Sequence, residues 1–443
     1  VNNRRLLRVG WAALFLGTIF TPLILFAIMD EQASSLVRLS TLVALLAVAT
    51  LLCVVTLASR LRSLTTTLGL TQVVHLHRYL GTLTAVLAVT HVGLLVVDQP
   101  DLLGLLNPMT STPASMVAVG ATLALLALGG TNWLRARNYD VWRVVHVALA
   151  AAALALTGLH VYWLNHLIQN PALRAWFVAG AAGALLVLFH RWVVRPIRHA
   201  RTGFTVREVR PESPSVATLV LSPPGGRHRA DPTMRFHPGQ FAWLRLQSTL
   251  PSQEHPFTIS SSADSRSSLE FTISRSGDFT GQLATLQPGK RVWLDGPHGT
   301  FTPEPGGIGI VGIAAGVGVT PMMSMLRTHA DRGDRRQHRL FVAARTMDDL
   351  LFRAELRALQ KRLPLTVIEI LSQPPPGWSG PRGRITVRLL DNYLPAHRSL
   401  LNYFVCGPTL MIHDTLDALG RLHIPASRVH TEEFGDPPRR EPR

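Results

Sequence analysis

The sequence predicts a multidomain chain: a six-helix transmembrane bundle, then an antiparallel β-barrel, then an α/β domain built on a parallel sheet. Three observations carry this expectation. Hydrophobic residues make up 47% of the 443, yet the long apolar runs all lie before about residue 195. From Arg201 the pattern changes to short alternating runs separated by turn residues, the mark of antiparallel strands. From about Gly306 strand-like and helix-like stretches alternate, which calls for a parallel sheet with crossover helices.

Six stretches are long enough to span a bilayer, roughly 9–28, 36–58, 72–97, 114–131, 140–163 and 173–194, each near the ~20 residues that a hydrocarbon core requires. The N-terminal VNNRRLLR could open a signal peptide. The apolar run behind it is long, however, with no clear small-residue cleavage site before Asp30, so it reads as a retained first span. Arg4, Arg5, Arg8, Arg60, Arg62, Arg135, Arg137, Arg143, Arg191, Arg195, Arg198 and Arg201 fall on one side of such a bundle. Asp30, Glu31, Asp98 and Asp101 fall on the other. The positive-inside rule then puts both termini in the cytoplasm of a multi-pass protein of the plasma (cell inner) membrane, with the third and fifth spans running in the same direction.

Those two spans carry the chemistry. QVVHLHRYLGTLTAVLAVTHVGLLVVD (Gln72 to Asp98) holds His77 and His91, and YDVWRVVHVALAAAALALTGLHVYW (Tyr139 to Trp163) holds His146 and His160, each pair fourteen residues apart. On a helix that spacing is a rise of ~21 Å and a rotation within ~40° of four full turns, so both imidazoles leave one face at different depths. A lone histidine in an apolar helix is more often a core or interfacial residue, and His75 reads as interfacial. Two equal spacings on parallel spans instead suggest ligands. Imidazole suits iron, and a His/His pair from two helices suits six-coordinate haem b better than zinc, which gathers its ligands around one point. His77 would pair with His146 and His91 with His160, holding two haem b groups. Arg38 and Arg174 lie at the outer ends of spans two and six, where either haem propionates or simple snorkelling to the interface would account for them.

Composition limits the alternatives. The net charge of +17 could suggest nucleic acid, but no basic helix with interleaved aromatics is present and the arginines gather beside the spans, so none is expected as a partner. Membrane lipid is the expected surroundings. Two cysteines, Cys53 and Cys406, are too few for a disulfide framework, a Cys₄ zinc site or an iron–sulfur cluster.

In the barrel region, FTVREVR, SVATLVLSP, FAWLRL, HPFTISS, LEFTISR and RVWLDGP read as strands. HPGQFAWLRL and HPFTISS look like parts of a flavin-binding barrel, with His255, Pro256, Phe257, Thr258 and Ser260 as candidate contacts. Phe257 is suited to cover a flat ring and Thr258 to bond its polar edge. SRSGDFTGQL turns into a short helix near Thr280, framed by Gly277 and Gly281, and its free N–H groups suit a pyrophosphate. In the last third GGIGIVG contains a literal GxGxxG, but Gly307, Gly309 and Gly312 lie in or before a strand and are set aside. The useful turn follows. Gly316 and Gly318 allow close backbone approach, Thr320 is suited to cap a helix and Pro321 to begin it, and no Gly-Lys-Ser/Thr follows to make a nucleotide-hydrolysing loop. Arg345, Cys406, Gly407 and Pro408 come at strand ends, where open α/β sheets bind ligands.

With LHRYLG around His77, WRVVH around His146, HPFT at His255, GVGVTP at Gly316 and CGP at Cys406 in that order, the whole chain resembles the ferric reductase and NADPH oxidase superfamily. The resemblance implies a haem-binding domain over 1–200, an FAD-binding barrel over 201–305, an NAD(P)-binding domain over 306–434 and a disordered tail over 435–443. It implies hydride transfer from NADPH or NADH to FAD, with single electrons passing through the two haems to an acceptor outside. It also implies a catalytic part for Cys406 beside the nicotinamide, and for Phe434 as the aromatic that stacks on the flavin, although nine residues follow it in this chain. Arg345, able to meet a 2′-phosphate, favours NADPH, against the nearby Asp348 and Asp349. The short, acidic outer loops, about 98–113 and 164–172, favour oxygen over a ferric complex as acceptor, with Arg38 beside a developing superoxide and His166 as proton donor. Two readings of another class stand beside this one: a haem- or redox-sensing membrane regulator, and a soluble flavin reductase on a generic anchor.

Overall fold

The computed structural model describes residues 2–29, 34–106, 111–163, 169–200, 203–223, 235–247, 253–265, 267–304 and 306–433. It divides into two compact units, Val1–Arg195 and Pro196–Arg443. His166, Phe434 and the tail 435–443 lie outside the described residues.

The first unit is helical: α1 (Asn2–Ala27), α2 (Ser35–Ala58), the short α3 (Arg62–Leu68), α4 (Leu70–Asp98), α5 (Pro113–Gly130), the short α6 (Asn132–Arg137), α7 (Tyr139–Trp163) and α8 (Pro171–Phe189). A π turn over His190–Val194 leads into α9 (Arg195–Ala200). Among the described residues six helices are long and apolar enough to cross a membrane, at the six places expected. Their starts are locally encoded. Ser34 caps α2 by accepting from the Val37 N–H, Thr112 caps α5 ahead of Pro113, and Asn170 caps α8 ahead of Pro171.

Apolar side chains on the outside gain nothing from leaving lipid, so packing within such a bundle depends on close fit, and small residues mark the seams. α2 carries buried Ser40, Ala47, Ala49 and Thr50 and packs along α4 for most of its length, with α1 and α8 beside it. α7 packs instead against α5, through Ala121, Ala124, Leu125 and the fully buried Ala153. The two histidine-bearing helices therefore rest on different supports. Leu14, Leu123, Leu185, Leu186 and Phe189 are exposed, as lipid-facing positions would be.

In the second unit β1 (Gly203–Ser213), β2 (Val216–Ser222), β3 (Phe241–Arg245), β4 (His255–Thr258), β5 (Leu269–Ser274) and β6 (Arg291–His298) form an antiparallel sheet of order β4-β3-β6-β1-β2-β5. It closes into a barrel where Ile259 bridges Phe271 and the Ser260 N–H donates to the Glu270 carbonyl at 2.8 Å. Alternate residues fill it, among them Phe204, Val206, Leu219, Leu221, Phe271 and Leu294. The helix α10 (Asp278–Ala284) plugs it with Phe279 and Leu283. Next come β7 (Ile310–Ala315), α11 (Thr320–Asp331), β8 (His338–Ala344), α12 (Arg353–Gln360), β9 (Leu365–Leu371), α13 (Val387–Tyr393), β10 (Asn402–Gly407), α14 (Thr409–Arg421) and β11 (Val429–Glu433). All these strands are parallel, in the order β11-β10-β7-β8-β9. The order reverses between β7 and β10, which makes their carboxyl ends the topological switch point.

One arginine joins the two lobes of this unit. Arg327 on α11 donates to both carboxylate oxygens of Glu355 (2.6 and 2.7 Å), to the Ser260 carbonyl (2.6 Å) and to Glu270 (3.0 Å), so the barrel and the parallel sheet share a mostly buried cation. Removing one partner of a buried pair leaves the others desolvated and uncompensated, at a cost of about 3–5 kcal/mol. Arg327→Leu should lower unfolding stability of the soluble part by about that much, while Arg332→Leu, which breaks an exposed pair with Asp264, should cost less than ~1 kcal/mol. Denaturant titration followed by tryptophan fluorescence would compare them.

Candidate functional site

Of the four predicted ligands, His77 on α4 and His146 on α7 meet with ring centroids 6.3 Å apart and planes inclined at 60°. His160 lies close enough to His91 for the two rings to act on each other electrostatically. The Nδ1 of His77 faces the Val54 carbonyl at 3.2 Å and that of His91 faces the Ser40 carbonyl at 3.0 Å. A carbonyl only accepts, so in both rings Nδ1 is the donor and Nε2 keeps its lone pair. His146 meets Trp142, one turn earlier, at 5.0 Å with the rings inclined at 32°, and its buried Nδ1 has no hydrogen-bond partner among the described residues. Arg191, which donates to the Ala58 carbonyl at 2.8 Å, lies within electrostatic reach of His77. His75 is exposed, as an interfacial residue should be. Arg38 is half-buried near the start of α2, and Arg174 is exposed in the first turn of α8.

On the barrel, His255 meets Phe279 at 4.4 Å with the rings inclined at 37°, and Phe257 lies parallel to the same ring at 6.4 Å. Successive strand residues face opposite ways, so Phe257 packs toward the barrel interior while Pro256 and Thr258 take the other face. The Thr258 hydroxyl is buried without a hydrogen-bond partner among the described residues, and Pro256 is exposed beside it. Ser260 is fully buried, and its hydroxyl donates to the Glu270 carbonyl at 3.1 Å, where it holds the barrel seam. The short helix begins earlier than expected, at Asp278, with Gly277 as its cap. Thr280 stands one turn in, and its hydroxyl accepts from the N–H groups of Ser276 (3.1 Å) and Gly277 (2.9 Å), so those two amides are engaged within the turn.

At the switch point a cavity of about 540 Å³ opens, lined by Gly316, Gly318, Arg345, Arg384, Gly407 and Pro408 among others. Gly316 has a φ of +54°, and a Cβ on Gly318 would collide with the Cys406 carbonyl group, so only glycine lets these two loops touch. Thr320 is not the cap it was expected to be. A 3₁₀ turn over Gly316–Val319 runs straight into α11, Val319 takes the cap position, and the Thr320 hydroxyl donates back to the Val317 carbonyl at 2.8 Å. Pro321 lies in the first turn as predicted. Arg345 is exposed just past β8, with Asp349 at 3.8 Å. Asp349 accepts from the N–H and hydroxyl of Thr346 at 3.2 and 3.0 Å. Cys406 is completely buried behind Gly407 and Gly318.

Comparison with known proteins divides the chain in the same sequence. Residues 43–157 match the ferric reductase-like transmembrane component, 227–301 an FAD-binding domain and 313–417 the oxidoreductase NAD-binding domain. The soluble part is 32% identical over 241 residues to ferredoxin–NADP reductase B of Sorangium cellulosum, covering 51% of this chain and 94% of that protein. It is 28% identical over 253 residues to the reductase component of propane 2-monooxygenase from Mycolicibacterium goodii, covering 55% and 69%. The FAD/NAD-binding domain of nitric oxide dioxygenase from Vibrio cholerae is similar over 53% of this chain and 99% of that structure, at 21% identity and a TM-score of 0.47. The chain has the ferric reductase/NADPH oxidase-type architecture, a ferric reductase-like transmembrane component joined to FAD- and NAD-binding domains. Its soluble part is a ferredoxin–NADP reductase-type module, and the whole is a multi-pass NAD(P)H oxidoreductase with FAD- and NAD-binding domains.

Sequence reasoning missed several residues of the candidate site. Ser40 and Val54 on α2, Trp142 and Arg384 gain meaning only from their neighbours in space. Glu432 is the clearest case. It stands beside Cys406 across the β10–β11 pair, and its Oε2 is buried without a hydrogen-bond partner among the described residues. Burial pushes its carboxyl up from 4.5 to about 8, and burial together with this carboxyl pushes the Cys406 thiol well above its ordinary value. The glutamate in HTEEF was a signal only as an acid inside a strand that pairs with a buried one. Between those two pKa values the folded chain keeps a proton that the unfolded chain has released, so this group's contribution makes stability fall as pH rises through that window. Glu432→Gln should flatten the decline. A melting temperature that falls from about pH 5 to about pH 8 as steeply in the variant as in the parent would show that Glu432 does not titrate there.

Proposed function

We propose that this protein carries electrons from cytoplasmic NADPH, or NADH, through FAD and two haem b groups to an acceptor on the opposite face of the plasma (cell inner) membrane, with both termini in the cytoplasm. The observation that carries the haem reading is the His77–His146 pair. Metal–nitrogen bonds of about 2 Å on either side of an iron, plus the half-width of each ring, bring two imidazole centres to roughly 6 Å, close to the 6.3 Å found. The donor chemistry agrees. Val54 and Ser40 take the Nδ1 protons of His77 and His91, the arrangement that readies Nε2 for a metal. His146 and His160 complete the two pairs.

When bound, FAD supplies the step from two-electron hydride chemistry to single electrons, and the haems supply one-electron carriers across the bilayer. The protein's part is to hold and orient them. Thr258 offers the flavin face a hydroxyl, His255, Pro256 and Phe257 shape that edge of the barrel, and Gly277, Thr280 and Gly281 form the turn beside a pyrophosphate. Gly316, Gly318, Thr320 and Pro321 form the cradle for the dinucleotide, and Gly407 and Pro408 its opposite wall. Cys406 backs that wall as the residue nearest the nicotinamide, and Phe434 is assigned the flavin stack. Arg345, joined by Arg384, favours the 2′-phosphate of NADPH. His91 and His160 would hold the outer haem between them, and its one-electron chemistry would then reach the acceptor without a bond to the metal. Short acidic outer loops favour oxygen over an anionic ferric complex, with Arg38 and His166 assigned to the developing superoxide.

Two measurements test this reading. His91→Ala or His160→Ala should halve the haem-to-protein ratio of the purified protein, and so should His77→Ala or His146→Ala; undiminished haem in all four would refute the ligand assignment. For the acceptor, superoxide dismutase-sensitive cytochrome c reduction in air is compared with ferric-chelate reduction without oxygen. A dismutase-sensitive signal is expected, and its absence together with fast anaerobic ferric turnover would identify a ferric reductase instead.

A further inference from the structure

We propose that Ser40 is a positioning residue that makes the two haem levels electronically unequal, because its hydroxyl hydrogen-bonds the His91 imidazole and His77 has no such partner among the described residues. The proposal rests on the bis-histidine reading above. α2 and α4 pack side by side, and their contacts repeat. His77 meets Val54 and His91 meets Ser40, and Ser40 and Val54 are fourteen residues apart, as His77 and His91 are. Midway between the histidines the Thr84 hydroxyl donates to that of Thr50 at 2.9 Å. The two imidazoles thus meet α2 at equivalent places, and only the side chain of α2 differs.

At His77 the acceptor is the Val54 carbonyl at 3.2 Å. At His91 there are two acceptors, the Ser40 carbonyl at 3.0 Å and the Ser40 hydroxyl at 2.7 Å, and that hydroxyl lies 3.0 Å from the His91 carbonyl. Proton accounting leaves one arrangement. The carbonyl cannot donate, so Nδ1 carries the ring proton and shares it between the two Ser40 oxygens, while the hydroxyl proton goes to the His91 carbonyl. Ser40 is 0% exposed, so no water can stand in for it. A second, shorter hydrogen bond from Nδ1–H leaves more electron density on Nε2 and makes it a stronger donor. A stronger axial donor favours the more positive ferric state, so Ser40 lowers the potential of the haem on His91 relative to the same site without it.

The test is a spectroscopic redox titration of the full-length purified protein, with haem content measured in parallel. In Ser40→Ala one of two potential components should move to a more positive value, by a few-fold change in its reduced-to-oxidised ratio at fixed potential, while the other stays. Ser40→Thr, which keeps the hydroxyl, should restore it. Val54→Thr, which offers a hydroxyl at the matching place beside His77, should move the other component to a more negative value and keeps the proposal testable where Ser40→Ala fails to fold. With two haems retained, unmoved potentials in Ser40→Ala and Val54→Thr, or a joint shift of both components, would overturn the role of Ser40 and leave the haem reading intact. A parent protein without haem would overturn the reading and the proposal together.

Discussion

An imidazole inside a bilayer has no water to bond, so a ring proton is satisfied only by the protein, as it is at His77 and His91. Much of the membrane unit follows from that constraint. α2 supplies the acceptors, the Val54 and Ser40 carbonyls, and to do so it must lie against α4 along most of its length. That closeness explains the small and hydroxyl-bearing residues buried along α2 and the Thr84–Thr50 contact between the two levels. α7 does not share this support and packs on α5 through an alanine seam instead.

The soluble unit answers a different constraint. A parallel sheet gathers its loops at one edge, and the reversal of strand order between β7 and β10 leaves a crevice there. Glycines at 316, 318 and 407 let two backbones and a ligand occupy it together. Behind the crevice lies the fully buried Cys406, and beside it Glu432 with its Oε2 shut off from solvent; burial keeps both protonated near neutrality. Alignment of the barrel with this sheet depends on α11, whose Arg327 bonds to both lobes.

The architecture was legible in the sequence because its signals are local and periodic. Twenty-residue apolar runs, fourteen-residue histidine spacings, alternating strand patterns and the order of the glycine-rich and CGP turns all report on the chain one segment at a time. Errors arose where one residue's surroundings decided its role. Thr320 has the chemistry of a cap, but the 3₁₀ turn before it begins the helix earlier.

By itself the sequence determined the spans, the two sheets, and which histidines share a helical face, since these follow from hydrophobic period and helical geometry. Only the tertiary structure decided which atoms those histidines bond, that Glu432 stands beside Cys406, and that Arg327 holds two lobes together. Such facts depend on residues tens to hundreds of positions apart meeting where water is excluded. A single hydrogen bond or carboxyl carries weight there because the solvent that would replace it is absent.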